Sequence, residues 1–417
     1  MEPGGSEFVS GWRPCIRAGG DAKLERRPVA LAQAFVCPGG SSVRARYANV
    51  SQLLKHKTSD TPVFCLLPGQ IRAAVARFRA GFPGEVMYAV KANPDRQVLD
   101  WLIEAGIQGF DTASLGEIEL VRSAKADAHC AYNHPVKPRG ALAQAYRHWG
   151  IRDYVVDHHA ELEKLIQELG HELTVQVRVA MPNSTARVSF NEKFGAEPRD
   201  AIALLRAVQQ HGAGAALTMH IGWQSIDPQS FAAGVRVLAG IAAEARVQPQ
   251  YLNVGGGFPS LLMPPELCIE DFFAAIRVAR DQEANVCDTP LRCEPGSALV
   301  TNGGAVLTQV LLVKEGALYL NDGIYGAMAE LLHSRMQPPT QVYTHDGEPR
   351  HGPSRRFRVF GPTCDSFDVS PAPFDVPAGI REGDWLCLAS MGAYSMPLIT
   401  NFNGLGAHEF AILDELA

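Results

Sequence analysis

The sequence predicts an α/β protein, a (β/α)8 TIM-like barrel followed by an all-β C-terminal domain. Eight short apolar, β-branched or aromatic runs recur between residues 86 and 294 and alternate with stretches of helical period. Nearly every run ends in an ionisable or glycine-rich feature, and strand C-termini are where such a barrel carries its chemistry. Beyond Ala298 the helical stretches stop while strand-like runs continue.

The predicted barrel strands span 86–90, 109–112, 128–132, 154–156, 173–179, 216–221, 251–254 and 291–294. Between them lie predicted helices at 96–105, 115–124, 139–149, 160–169, 198–210, 228–245 and 265–282. Such alternation implies parallel strands closed into a ring. The later strands, 306–313, 318–320, 356–359 and 385–388, are punctuated instead by turns such as Lys314-Glu315-Gly316 and Asn321-Asp322-Gly323. The chain divides accordingly into a weakly patterned extension (1–43), a segment joining the β-domain (44–66), the barrel (67–298) and the β-domain (299–417).

A chain of 417 residues is long enough for two domains, and an apolar content of 46% supplies their cores. The net charge of −6 gives no basic field for nucleic acid or anionic membrane. No apolar run reaches the length of about 18 residues that a spanning helix needs, so the expected partner is a small molecule. Nine cysteines without a Cys-x-x-Cys pair argue against a metal site and a disulfide framework, and for a reducing, cytoplasmic setting. No charged start followed by an apolar stretch marks a secretory leader.

The polar features ending the barrel strands are Lys91, Asp111, Asn133 with His134, Asp157, Arg178, His220, Gly255 to Gly257 and Glu294. Lys91, in Tyr88-Ala-Val-Lys91-Ala-Asn93, projects into the barrel mouth. Desolvation there is expected to lower its pKa and free the amine for a Schiff base with an aldehyde cofactor. A surface lysine at a loop start is the competing reading. Gly255, Gly256 and Gly257 let backbone N–H groups approach a phosphate, or simply form a tight turn. Glu294 in Cys293-Glu294-Pro295-Gly296 suits a pyridine nitrogen held protonated, or pairs with a neighbouring cation. His220 either lies on a cofactor ring or is a buried structural histidine. Asp111 and Glu117 either orient the lysine and ring substituents or, for Glu117, supply charge at a helix N-terminus. Cys364 and Asp365 offer a thiol to protonate a carbanion and a carboxylate to hold an amine, although cysteine is more often buried filler.

Taken in order, these segments resemble the fold type III pyridoxal-phosphate decarboxylases, the family of ornithine, lysine, arginine and diaminopimelate decarboxylases. The resemblance runs from about residue 61 to residue 410. It rests on Tyr-Ala-Val-Lys91, Phe-Asp111-x-Ala-Ser-x-x-Glu117-Ile, Lys193-Phe-Gly, His220-Ile-Gly, Gly255-Gly-Gly-Phe-Pro and Glu294-Pro-Gly, then Asn-Asp-Gly-x-Tyr-Gly, Gly-Pro-Thr-Cys364-Asp365, Gly-Ala-Tyr394 and Asn-Phe-Asn403-Gly. It implies an alanine racemase-like barrel with a C-terminal β-domain and pyridoxal 5'-phosphate attached to Lys91. It further implies His220 on the cofactor ring, Glu294 at the pyridine nitrogen, and the phosphate held by Gly255 to Gly257 with Tyr394. Asp111 and Arg178 belong to the same cofactor site. Cys364 and Asp365 would reach the site of the opposite subunit in a homodimer, and Lys193 and Asp368 resemble a pair that bridges subunits. Glu294, where related racemases place an arginine, favours decarboxylation.

Three positions depart from the family pattern. Ser297 replaces the arginine of Glu-Pro-Gly-Arg, and Trp223 replaces the serine of His-x-Gly-Ser; both missing groups normally contact phosphate. His333-Ser334-Arg335 stands where the ornithine enzymes carry a Tyr-Asp that binds the distal amine. Loss of that acid points to a substrate with an acidic or acylated side chain, such as a citryl-diamino acid of carboxylate siderophore assembly. Asp365 supports the alternative, an ornithine or lysine decarboxylase. A third possibility is a catalytically inactive regulatory relative.

Overall fold

The computed structural model describes residues 44–181, 193–260 and 268–417. Two short strands, β1 (Ala45–Tyr47) and β2 (Val63–Leu66), precede the barrel. The barrel strands are β3 (Glu85–Ala89), β4 (Gly109–Thr112), β5 (His129–Tyr132), β6 (Asp153–Val156), β7 (Thr174–Val179), β8 (Gly214–Met219), β9 (Leu252–Asn253) and β10 (Leu291–Cys293). They pair in sequence order, all parallel, and β10 closes on β3. The β-rich part contributes β11 (Gly304–Lys314), β12 (Ala317–Leu320), β13 (Thr340–Tyr343), β14 (Ser354–Phe360), β15 (Phe374–Pro377), β16 (Trp385–Leu388) and β17 (Glu409–Leu413). With β1 and β2 these form one nine-stranded sheet.

The predicted barrel strands are all present, with ends displaced by up to two residues. β8 stops at Met219, so His220 is the first residue beyond it. β3 stops at Ala89, and Lys91 lies in a 3-10 turn, Val90–Ala92. The predicted helix at 265–282 begins at Ile269, residues 265–267 lying outside the described residues. Sequence reading missed the helices Val50–His56 and Pro68–Gly81 and the strands β13, β15 and β17. Pro68–Gly81 has no side-chain N-cap but starts with proline, whose fixed φ suits the first helical turn.

Two contacts carry the β-rich part to the barrel mouth. The Asn93 side chain donates to the Gly392 carbonyl at 2.8 Å, and the Tyr394 N–H donates to the Ala92 carbonyl at 2.8 Å. Ala92 and Asn93 directly follow Lys91, so the segment bearing Tyr394 is tied to the turn that presents the lysine. Tyr394 itself has φ 56°, a left-handed conformation that non-glycine residues seldom adopt.

The helices around the glycine loop are cemented by aromatic rings. Phe258 stacks on Phe231 at 4.6 Å and meets Phe78 edge-on at 5.3 Å, while Phe78 meets Phe273 at 5.0 Å. Phe78, Phe231 and Phe273 come from three different helices, Pro68–Gly81, Pro228–Ala245 and Ile269–Gln282. Phe258, directly after Gly257, therefore anchors that loop in the core.

Candidate active site

The C-terminal ends of the barrel strands open into a cavity of about 540 Å³. Lys91, Asp111, Arg178, His220, Gly256, Gly257, Glu294, His333 and Tyr394 all line it. They come from eight separate chain segments; six lie at barrel strand ends and converge because parallel strands end at one face, while His333 and Tyr394 come from the β-rich part.

Lys91 Nζ stands 3.7 Å from Asp111 Oδ2. Desolvation alone was expected to lower the pKa of this amine, but Asp111 outweighs it and holds the value above the usual lysine range. His220 is the reverse case. Burial first, then Arg178 and Lys91, push its pKa well below that of an ordinary imidazole. Its Nδ1 accepts from the Gly222 N–H at 3.0 Å, so the neutral ring carries its proton on Nε2. Burial likewise lowers the pKa of Arg178.

Glu294 is buried at the end of β10. Burial and the nearby Asp111 raise its pKa to about 8. Its Oε1 accepts from Asn133 Nδ2 at 2.6 Å and from Asn253 Nδ2. Gln176 locks both amides in place: its Nε2 donates to Asn133 Oδ1 at 3.1 Å, and its Oε1 accepts from Asn253 at 2.9 Å. Sequence reading named Asn133 only as a strand end and passed over Asn253 and Gln176. Their signal was strand alternation, since Asn253 lies two residues before Gly255.

The glycine loop fits a phosphate. Gly255 and Gly257 have φ of 67° and 89°, and a Cβ on either would lie 2.1 Å from a carbonyl oxygen of Met219 or Gly222. A Cβ on Gly256 would lie 2.7 Å from the Glu294 carbonyl. The N–H groups of Gly256, Gly257 and Ser297 donate to no described residue, and all three residues line the cavity. Trp223 also lines it.

Other expected residues lie elsewhere. Glu117 accepts from the Ala113 N–H at 2.7 Å at the start of its helix, and burial raises its pKa to about 7. Ser334 is buried against a neighbouring cavity of about 380 Å³. Arg335 is exposed and lines neither cavity, because its φ of 51° ends the short helix Leu331–Ser334 and turns the chain away. Of the expected trio only His333 reaches the main cavity, and Glu330, unnoticed in the sequence, reaches it too.

Cys364 and Asp365 do not line the cavity of their own chain. Cys364 is exposed, its N–H held by Asn403 Oδ1 at 3.1 Å, and Asp365 accepts from the Tyr325 hydroxyl. Around them stand exposed apolar side chains, Phe367 (75% exposed), Phe402 and Leu405. Asp368 is buried and accepts from the N–H groups of Ile324 and Thr363 and from the Thr363 hydroxyl, all within its own chain. Lys193 lines the cavity. Among the described residues no cluster suits a metal ion, and no helix is long and apolar enough to cross a membrane.

Comparison with known proteins agrees with this geometry. Residues 68–301, more than half of the chain, match the family described as the pyridoxal-binding domain of pyridoxal-dependent decarboxylases. A lysine/ornithine decarboxylase of Selenomonas ruminantium is 30% identical over 330 residues, covering 76% of this chain and 81% of that protein. A lysine/ornithine decarboxylase of Vibrio vulnificus, solved with cadaverine, superposes with a TM-score of 0.73 at 26% identity, over 85% of this chain and 95% of that one. The arginine decarboxylase of Paramecium bursaria Chlorella virus has the same fold, with a TM-score of 0.79 at 24% identity over 87% of this chain and 99% of that one.

Proposed function

The chain belongs to the pyridoxal-dependent decarboxylases and is an amino-acid decarboxylase that uses pyridoxal phosphate; from that premise we propose that its substrate is a basic amino acid of the lysine or ornithine type and that a second copy of the chain completes each site. The carrying observation is the position of Arg335. The cation expected to meet a carboxylate-bearing side chain is outside the cavity, whereas Glu330 is inside it. The names of the relatives point the same way.

Pyridoxal phosphate, when bound, supplies an aldehyde that captures an amino group and an electron-poor ring that accepts the electron pair left as CO₂ departs. In our reading Lys91 is the residue that holds it covalently, and Asp111 keeps a proton at Nζ. The neutral His220 offers a flat face to a ring. Glu294, its Oε1 fixed by two amides, offers Oε2 to a pyridine nitrogen. The N–H groups of Gly256, Gly257 and Ser297, with Tyr394, would hold the phosphate, Ser297 standing where the family pattern carries an arginine. Cys364 of a second copy delivers the proton that replaces the carboxylate, and its Asp365 meets the substrate. The exposed Phe367, Phe402 and Leu405 support an apolar dimer face around that loop. A cytoplasmic setting suits this small-molecule chemistry.

A second reading keeps the citryl-diamino acid, on the strength of His333 and Trp223 in the cavity wall. The two are separated by incubating cofactor-loaded protein with L-lysine, L-ornithine, L-arginine and the citryl adduct of L-2,3-diaminopropionate and measuring CO₂ release. Faster release from a basic amino acid supports the first. Release from the adduct alone overturns it.

A further inference from the structure

The groups packed against the glycine loop are neutral: the carbonyls of Met219, Gly222 and Glu294, and the ring of His220, which burial keeps uncharged. The cations of the cavity wall are engaged elsewhere. Lys91 Nζ faces Asp111 at 3.7 Å, and Arg178 and Lys193 lie over the Phe194 ring, 5.5 and 5.1 Å from its centroid. A phosphate seated at Gly256 and Gly257 is therefore left to neutral hydrogen-bond donors, and every such donor at the loop counts.

Trp223 stands against that loop. On one side of it the Gly222 carbonyl would lie 2.1 Å from a Cβ on Gly257, and on the other the Ser225 N–H donates to the Gly257 carbonyl at 2.9 Å. Between these contacts the Trp223 side chain is buried and lines the cavity beside Gly256, Gly257 and Ser297. Its indole Nε1 donates to no described residue, yet it is not sealed inside the protein. An indole N–H donates and has no lone pair to repel an anion.

The backbone is strained to hold this side chain. Gly222 has φ 116°, and Gln224, buried and not a glycine, has φ 52° in the left-handed region. Gln224 is fixed by a two-way bond to Ser260: its Nε2 donates to Ser260 Oγ at 2.7 Å, and its Oε1 accepts from the Ser260 N–H at 2.8 Å. Ser260 Oγ reaches Thr301 Oγ1 at 3.2 Å, so the segment bearing Trp223 is braced against the end of the short helix that Ser297 begins. Strain of this kind persists where it positions a group for a ligand.

We propose that the indole N–H of Trp223 is a phosphate-binding donor for pyridoxal phosphate, completing the set formed by Gly256, Gly257 and Ser297. The assignment rests on the placement of the phosphate at the glycine loop given above and is independent of the substrate side chain.

The test titrates the full-length apo-protein with pyridoxal phosphate and with pyridoxal, following visible absorption, in wild type, Trp223→Phe and Tyr394→Phe. The two ligands differ only in the phosphate, so the ratio of their Kd values reports the phosphate contacts. Loss of one hydrogen bond to a charged group predicts a rise of about tenfold to a hundredfold in the Kd of pyridoxal phosphate in Trp223→Phe, with that of pyridoxal little changed. The chain has five tryptophans, few enough for isotope-labelled indole N–H signals to be told apart by NMR. The signal missing from Trp223→Phe should move when wild type takes up pyridoxal phosphate, and move less with pyridoxal. An unchanged Kd ratio in Trp223→Phe, or an indole signal indifferent to the phosphate, overturns the assignment of Trp223. If Tyr394→Phe leaves the ratio unchanged as well, the placement of the phosphate at the glycine loop falls with it.

Discussion

Asn133 Nδ2 and Glu294 Oε1 meet at 2.6 Å across the barrel mouth, joining the ends of the third and eighth barrel strands. Asn253 donates to the same oxygen, and Gln176 ties the two asparagines together. One carboxylate oxygen is thereby immobilised and the other left to the cavity, so the direction in which Glu294 presents its charge is set by three amides.

Removing one amide should loosen that aim. Asn253→Ala is expected to lower kcat about tenfold or more, since hydrogen bonds to charged groups contribute about 1.5–3 kcal/mol. Glu294→Gln should be more damaging than either asparagine variant while still binding the cofactor. Steady-state kinetics beside cofactor absorption decide this.

Lys91 should be the point of covalent attachment. Borohydride reduction of the loaded protein, digestion and mass spectrometry should find the pyridoxyl group on the peptide containing Lys91. Lys91→Ala should abolish both the adduct and CO₂ release.

Sites shared between subunits predict complementation. Lys91→Ala and Cys364→Ala are each expected to be inactive, but in a heterodimer of the proposed kind one of the two sites is free of both changes. Random mixing should restore about a quarter of wild-type activity. Failure of mixed dimers to regain activity would argue for a site built within one chain.

Phe258 links the glycine loop to three helices. Phe258→Ala is expected to destabilise the fold by about 3–5 kcal/mol, the usual range for a buried phenylalanine, and to weaken cofactor retention. Denaturant melts and dialysis of the loaded protein measure the two effects.

At the opposite end of the barrel His129 lies 2.8 Å from Glu85 and 3.6 Å from Asp153, and Arg292 bridges the same two acids. Hydrogen bonds to Asp153 and Glu85 raise the His129 pKa to about 9. A raised histidine pKa adds stability that is fully present below its unfolded value and is lost as pH rises through the folded value. The melting temperature should therefore fall between about pH 7 and 10, and His129→Gln should flatten that limb. A wild-type profile identical to that of the variant would refute the linkage.

The barrel was legible because its strands are short apolar runs with polar ends, a pattern local in sequence. For the same reason Lys91, Asp111, His220, Gly255 to Gly257 and Glu294 stood out as strand-end features, and the fold brings them to one mouth. Asn133, Gln176 and Asn253 were not legible as a unit, because their meaning lies in meeting one another across strands far apart in the chain. Lys91 was expected to lose basicity by burial, yet its charge is set by Asp111, a neighbour 3.7 Å away from another strand.

The sequence by itself determined the fold class and the strand-end residues, since each depends on residue type and short-range periodicity, and the resemblance of its motifs to a known family implied the cofactor. Only the tertiary structure decided which side chains of 330–335 face the cavity. One helical turn places Glu330 and His333 in it, Ser334 against a neighbouring cavity and Arg335 at the surface. Substrate recognition depends on direction, and the direction of a side chain on a four-residue helix is set by packing against the rest of the molecule, not by the residues of the helix alone.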